Sequence, residues 1–471
     1  MQAQPVLLLT DALIFVLVLC AVVLAVRARA HAPTLEAWRQ VGRQPAAMAS
    51  AAILAVFATI GFLDSLHYRP QLPPEQSGAQ SVQTVYSSEV LSVLDALLAP
   101  LRNNTEKTYS VPFSRVSFQR ETVELPGGGQ ARISPRLVHG GRHLQDNEPR
   151  LLDIARRLAW TPFAALSAGG LLLLALAATV ARRWDCSLNE AARRILTGRA
   201  DLAWRSVLIV VFLVTLLVSA GLALAPHYHV LGTDKVGQDV LYLSLKSVRT
   251  GLAIGTLTTL IMLPFAMTLG IAAGYLGGRV DDAIQYLYTV LNAIPSVLLV
   301  AASVLMMQVM IDTHPQWFDT AIQRADARLL ALCAILGMTS WTGLCRLLRG
   351  ETLKLRELEY VQAARAFGAS TAAIMRRHIL PNVMHIVLIT VALDFSSLVL
   401  AEAVLSYVGI GVDPTTISFG TMINAARAEL AREPGVWWSL ASAFFFMLVL
   451  VLAANLLADA VRDAFDPRHG R

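Results

Sequence analysis

Residues 359–382 read EYVQAARAFGASTAAIMRRHILPN, an alanine-rich, charge-edged segment with glycine near its middle and Leu-Pro near its end. It lies between two long apolar runs, Leu329–Leu348 and Val383–Leu405. Arg356–Phe367 is made of good helix formers, and Ala363, Ala364 and Ala366 keep that helix narrow. Gly368 permits the positive φ that ends a helix. Ser370 is placed to cap a second helix over Thr371–Ile379, and Pro381 is tolerated in the first turn of the membrane helix that follows. The expected shape is a short helix, a turn and a short helix between two spans, offering small side chains to a partner's groove. Arg376, Arg377 and His378 would supply polar contacts at its rim. On spacing alone, an amphipathic connector lying on a membrane surface fits as well.

The surroundings of the segment are apolar. Of the 471 residues 55% are hydrophobic and 15% charged, against about a quarter charged in a typical soluble domain. Together with repeated uncharged runs of about 20 residues, this composition specifies a polytopic membrane protein. The net charge of +6, with four Lys among 39 Lys and Arg, points to cytoplasmic loops and not to nucleic acid. Cys20, Cys186, Cys333 and Cys345 are scattered, with no metal-site spacing and no disulfide framework expected.

About nine spans are expected: Val6–Val26, Ala47–Leu63, Thr161–Val180, Val207–Leu224, Leu252–Leu276, Leu287–Met310, Leu329–Leu348, Val383–Leu405 and Trp437–Leu457. A backbone in lipid must satisfy its own hydrogen bonds, so these runs are helices; continuous apolar runs lack the alternation of a barrel. The first run has no basic stretch before it, so it is not expected to be a cleaved signal. Arg27, Arg29, Arg39 and Arg43 fill the first connection, and Arg182, Arg183, Arg193, Arg194, Arg199 and Arg205 fill the third. Both should be cytoplasmic, which puts the N-terminus outside and the 359–382 segment and the C-terminus inside. The long 66–157 connection is then outside, since long loops cross largely regardless of charge.

The chain divides near residue 205. The N-terminal module, 1–205, has three expected spans and the 66–157 loop. There, SSEVLSVLDALLAPL (Ser87–Leu101) places Val90, Leu91, Leu94, Leu97, Leu98 and Leu101 on one helical face behind a serine cap. ETVELPGGGQARIS (Glu121–Ser134) reads as strand, glycine-rich turn and strand.

The pattern QAARAFG…HILPN resembles the cytoplasmic coupling loop of binding-protein-dependent ABC importer permeases. That loop reads Glu-Ala-Ala, three residues, Gly, nine residues, commonly Ile, one residue, Leu-Pro. Gln362-Ala363-Ala364, Gly368, His378 and Leu380-Pro381 occupy those places. HVLGTDKVGQDVL (His229–Leu241), GYLGGRVDD from Gly274 and AIPSVLL from Ala293 resemble the dipeptide/oligopeptide/nickel permeases of the second-subunit type. So do AEAVLSYVGIGVDPTTISFGTMI from Ala401 and RDAFDPR from Arg462. The resemblance covers about 225–471, and nothing comparable covers 1–205. Gln362 stands where the family usually has Glu, Gln238 for Arg and Phe419 for Trp, while Tyr286 and Thr289 stand where Arg and Asp are frequent.

The resemblance implies an all-α polytopic membrane protein of the bacterial cytoplasmic membrane. It would have a six-helix permease core over 206–471, with a coupling loop at 350–382, about three extra N-terminal transmembrane helices and a small periplasmic insert. It implies a path shared with a sister permease, separate ATPase subunits, a periplasmic or lipid-anchored substrate-binding protein and contact with membrane lipid, with peptides or related small solutes as cargo. ATP and Mg2+ would be bound by partner subunits, because none of Lys107, Lys235, Lys246 or Lys354 follows a glycine as a P-loop requires. His229, Gly232, Thr233, Asp234, Gly237 and Asp239 would form an outside turn near the binding-protein dock. Asp394 and Glu402, in or near a span, are candidates for gating or translocation, since intramembrane carboxylates are by default functional. His139 and His143 in HGGRH have no nearby carboxylate or thiol in sequence and are read as solvated and not as metal ligands. Two other classes remain open: a standalone secondary transporter, and a membrane sensor or enzyme working through 66–157.

Overall fold

The structure, a computed structural model, describes residues 3–28, 32–71, 86–124, 130–145, 148–318, 320–431 and 435–465. The 125–129 turn and the end of the RDAFDPR stretch lie outside them. In chain order the elements begin with β1 (Ala3–Val6), α1 (Leu9–Ala28), α2 (Ala32–Arg43), α3 (Pro45–Asp64), β2 (His67–Pro70) and β3 (Leu91–Ser92). They continue with α4 (Val93–Leu97), α5 (Ala99–Asn103), β4 (Glu121–Glu124), β5 (Gln130–Ile133), α6 (Arg150–Leu158), α7 (Thr161–Trp184), α8 (Leu188–Leu196) and α9 (Trp204–Leu224). Then follow α10 (Val240–Leu276), α11 (Gly278–Ala293), α12 (Ser296–Thr313), α13 (Ala321–Leu355), α14 (Glu359–Ala366) and α15 (Thr371–Ile374). The last are α16 (Leu380–Val408), α17 (Phe419–Leu430) and α18 (Trp438–Phe465).

Among the described residues, eight helical stretches are long and apolar enough to cross a membrane, and a shorter apolar helix occupies Leu9–Val23. The expected span Leu287–Met310 is not one helix. Proline disfavours the helical conformation of the residue before it, and Ile294, before Pro295, is extended, so α11 ends at Ala293 and α12 starts at Ser296. The expected spans Leu252–Leu276 and Leu329–Leu348 are longer, running as α10 and α13 over 37 and 35 residues.

One compact unit gathers Met1–Leu7, Arg39–Thr250 and Ile417–Ala453. In it, α7 packs on α8 and α9, and α9 also meets α3. Ala177, Ala191 and Ile195 are buried at the α7–α8 contact, where small side chains let helices approach closely. β1, β2 and β3 form an antiparallel sheet, and β4 and β5 form the expected hairpin. The helix expected over Ser87–Leu101 is shorter. Ser92 accepts from the Asp95 N–H and donates its own N–H to Asp95, so this capping box ends β3 and starts α4 only at Val93. Val90 and Leu91 therefore stay outside it, and α5 starts separately at Ala99.

The second unit gathers Leu8–Trp38, Gly251–Thr416 and Ala454–Arg471. α13 is its central element, packing on α1, α11, α12 and α16. Its apolar core has two parts. Ala253, Ile254, Leu257, Leu329, Leu332 and Leu405 belong to one, and Met262, Tyr288, Trp341, Leu344, Leu348 and Val383 to the other. Gly270 and Gly274 on α10 make the approach to α13 possible: a Cβ at these positions would lie 2.8 Å from the Cys345 carbonyl oxygen and 2.6 Å from Thr352 Cβ.

Candidate functional site

The 359–382 segment is anchored from below and open above. Val361, Ile374 and Ile379 are buried in the cluster around Trp341, Leu344 and Leu348, and Ala364 packs against the same cluster. Gln362, Ala363, Arg365, Ala366, Arg376, Arg377 and Pro381 are exposed, as is Phe367, 91% open at the tip. The turn forms as its residues dictate. Gly368 has φ +81, with nothing within 4 Å of where a Cβ would stand, and Ser370 accepts from the Ala373 N–H. The first helix is shorter than expected, since Arg356 is the cap of α13 and α14 begins at Glu359. The second does not end before the membrane helix. α15 passes through a π turn over Met375–Ile379 directly into α16, and the Leu380 N–H reaches back to the Met375 carbonyl. Pro381, beside this turn, has no N–H to give, so the wider turn accommodates a missing bond without a break.

Polar contacts fix the base of the segment. The Asn382 amide donates to the Tyr360 hydroxyl at 3.0 Å and to the His378 carbonyl at 2.6 Å. Arg356 Nη1 donates to the Gly274 carbonyl at 3.3 Å, and Arg349 Nη2 donates to Asp281 at 2.6 Å, joining α13 to α11. The Arg349 bond, outweighing the effect of burial, holds the Asp281 carboxyl below the usual range. Gln362 Nε2 donates to the Glu357 carbonyl at 3.1 Å, a bond that a glutamate at this place has no proton to make. Leu380 is half-buried at the same cluster.

The other group of candidates lies in the turn between α9 and α10, where the structure brings residues 104–141 against them. His229 Nδ1 lies 2.9 Å from Asp239 Oδ2, and its Nε2 lies 3.3 Å from Glu106 Oε1. Glu106 also accepts the N–H groups of Val138, His139 and Gly140 at 2.8, 2.7 and 3.0 Å. Burial lowers the His229 imidazolium, but the two carboxylates outweigh it and carry the group up to about 9. Burial raises Glu106, and the bonds from His229 and the three N–H groups bring it down to about 2.

Thr233 donates to the Thr108 carbonyl at 2.9 Å and accepts the Ser110 N–H at 2.6 Å, while the Trp438 indole donates to the Thr233 carbonyl at 2.9 Å. Gly237 has φ +77, and a Cβ there would lie 1.8 Å from the Glu106 carbonyl oxygen; Gly232, at φ +74, meets the Ser110 carbonyl in the same way. Asp234 accepts from the N–H groups of Val236 and Gln238 within the turn. His229, Thr233 and Asp239 are 3, 0 and 1% exposed, so the chain's own loop covers the face that the sequence alone would offer to another protein.

Glu402 is buried in α16 and accepts from Ser406 at 2.7 Å. Asp394 is half-buried in the same helix, and among the described residues no group hydrogen-bonds its carboxylate. His143 is engaged with Asp153 at 2.8 Å and stacks edge-on against His227. Asp64, unremarkable in sequence, pairs with Lys246 at 3.1 Å, and Lys246 also reaches Asp95 at 2.8 Å. Glu106 and Lys246 carry no sequence signal for these roles, because their partners His229 and Asp95 lie 123 and 151 residues away. Phe367 and Asn382 stood within the quoted pattern and needed only the question of what an exposed aromatic and an amide do there.

Residues 266–471 match the family described as binding-protein-dependent transport system inner membrane component. The chain is 34% identical over 239 residues to an oligopeptide transport system permease protein of Mycobacterium tuberculosis, covering 51% of this chain and 76% of that protein. It is 32% identical over 240 residues to a dipeptide transport system permease protein of Bacillus subtilis, covering 51% and 69%. Against a glutathione transport system permease protein of Pectobacterium atrosepticum the figures are 33% over 240 residues, 51% and 73%. A chain of the MetNI methionine ABC transporter in inward-facing conformations aligns over 48% of this chain and 97% of its own, with TM-score 0.36 and 16% identity.

Proposed function

Because the chain belongs to the family of binding-protein-dependent ABC importer permeases, transport subunits distinct from the ATPase, we propose that it carries peptides or related small solutes inward. The cargo class rests on the relatives, whose names specify oligopeptide, dipeptide and glutathione transport. In this reading residues 206–471 form the permease domain and pair with a sister permease, and 1–205 is an added module. Nucleotide and Mg2+ belong to ATPase subunits in the cytoplasm, and a substrate-binding protein delivers cargo from outside. The N-terminus lies outside, and the 359–382 segment and C-terminus lie inside.

The observation that carries the reading is the form of the 359–382 segment: anchored by Val361, Ile374 and Ile379, open at Ala363, Ala366 and Phe367, and continuous with α16. An ATPase pair that closes on nucleotide moves this segment, and a helix without a break carries the motion into the membrane. Gln362, Ala363, Gly368, Arg376 and Arg377 form its outward side; Ala364, His378, Leu380 and Pro381 set its shape. Asp394 is proposed to meet solute or the sister subunit, as an intramembrane carboxylate without a partner among the described residues.

The test is uptake of labelled peptides by vesicles containing this chain, the sister permease, the ATPases and the binding protein. Uptake that requires ATP and all components supports the proposal. Uptake by this chain alone, driven by an ion gradient, replaces it with a secondary transporter.

A further inference from the structure

A coupling segment must stay stiff between its tip and the membrane, and Asn382 stands where that stiffness is weakest. Between the exposed tip at Phe367 and the membrane helix α16 lies the π turn over Met375–Ile379. A π turn replaces the i→i−4 ladder locally by i→i−5 bonds without breaking the helix, and helices bend at such turns. Asn382 lies just beyond that turn. Its amide donates to the carbonyl of His378, inside the turn, and to the hydroxyl of Tyr360, on α14. The Tyr360 and His378 rings, with centroids 6.2 Å apart, close the same triangle. One side chain thus holds together the helix that receives the push, the weak turn and the helix that must move. The next residue along α14, Val361, is buried in the core, so the staple sits where α14 is already seated and the tip beyond it is free.

We propose that Asn382 is a positioning residue for energy coupling: by bridging Tyr360 and His378 it makes α14, the π turn and α16 move as one body. The proposal rests on the coupling role of this segment given above. Asn382 belongs to the permease and not to an ATPase subunit, so its loss spares basal ATP hydrolysis and reduces what hydrolysis accomplishes.

The experiment is reconstitution of the full complex and measurement of solute transported per ATP hydrolysed. Asn382→Ala should lower that ratio about three-fold, as suits loss of one exposed amide bridge, with the basal ATPase rate, measured without binding protein, and membrane insertion unchanged. Asn382→Asp should not rescue it, because a carboxylate has no proton for the His378 carbonyl. Tyr360→Phe should give a smaller loss, and the Tyr360→Phe, Asn382→Ala double variant should be no worse than Asn382→Ala, since both remove one bridge. A residue serving stability alone would change the amount of complex and not the ratio. Gly368→Val serves as the control. If it lowers the ratio while Asn382→Ala does not, the bridge is refuted and the coupling role stands. If neither lowers it, both are refuted. Losses that multiply in the double variant also overturn the bridge.

Discussion

At the scale of single residues, burial and partner decide what a side chain can do, and the Glu106–His229–Asp239 cluster shows it in a measurable way. His229 is raised from 6.5 to about 9, so its contribution to stability is complete below pH 6.5 and is lost as pH rises through 9. Glu106 is lowered from 4.5 to about 2, so its contribution is complete above pH 4.5 and is lost as pH falls through 2. The purified protein should therefore hold the 104–141 loop most firmly between pH 4.5 and 6.5. Hydrogen exchange at Val138, His139 and Gly140, corrected for intrinsic rate, should show protection falling on both sides. Glu106→Ala should cost about 3–5 kcal/mol, because it leaves three N–H donors without their acceptor and takes one of two carboxylates from a buried imidazolium that keeps Asp239. Protection that is flat from pH 5 to 9 contradicts the charge assignment. Gln362 teaches a related lesson. Its difference from the family's glutamate is visible in sequence, yet only the structure shows the amide turned back to the Glu357 carbonyl.

At the scale of elements, local chemistry was legible and its consequences were partly so. Gly368, Ser370 and Pro381 read correctly as turn, cap and first-turn proline, because each acts on its own backbone. Pro295 acts just as locally, yet an apolar run across it hid the break between α11 and α12. The direction in which a helix faces was not legible. Ala363 and Ala364 are chemically alike, but Ala364 packs inward against the cluster and Ala363 faces out. The α9–α10 turn was legible as a turn, and its cover was not, since Glu106 lies 123 residues from His229.

These faces separate two effects. Phe367→Asp should weaken ATPase binding by about thirty-fold or more, the loss of roughly 2 kcal/mol of aromatic burial in a partner, and leave this chain's own stability unchanged. Ala364→Glu should instead lower the stability of the segment, by setting a charge against the buried cluster. Affinity measured on detergent-purified complexes, beside thermal melting of the chain alone, distinguishes them. Equal ATPase affinity in the Phe367→Asp protein removes the tip from the interface.

At the scale of the whole molecule, the family match from residue 266 onward leaves the N-terminal module unaccounted for. The module is nonetheless tied to the segment before α10 and to α10 itself by bonds that sequence spacing does not announce: Glu106 to His229, Thr108 to Thr233, and Asp64 and Asp95 to Lys246. Its proposed orientation rests on arginine placement alone. Reporters fused after Arg43 or Arg194 should read cytoplasmic, and one fused after Gly128 should read as outside. A cytoplasmic signal at Gly128 reverses the N-terminal topology and with it the side on which the 104–141 loop works.

The central claim is that the 359–382 segment transmits ATPase motion into the membrane, and Gly368→Val tests it most directly. Valine must take the positive φ of +81 that glycine adopts freely, at a cost of about 1–3 kcal/mol, and with no atom near the position only the turn itself is disturbed. The measurement is binding-protein-stimulated ATP hydrolysis together with solute uptake, in vesicles holding all subunits. The account predicts normal insertion and assembly, with hydrolysis no longer stimulated by the binding protein and uptake lost. Stimulated hydrolysis and uptake at the unmodified level would contradict it and leave the segment a passive connector on the membrane surface.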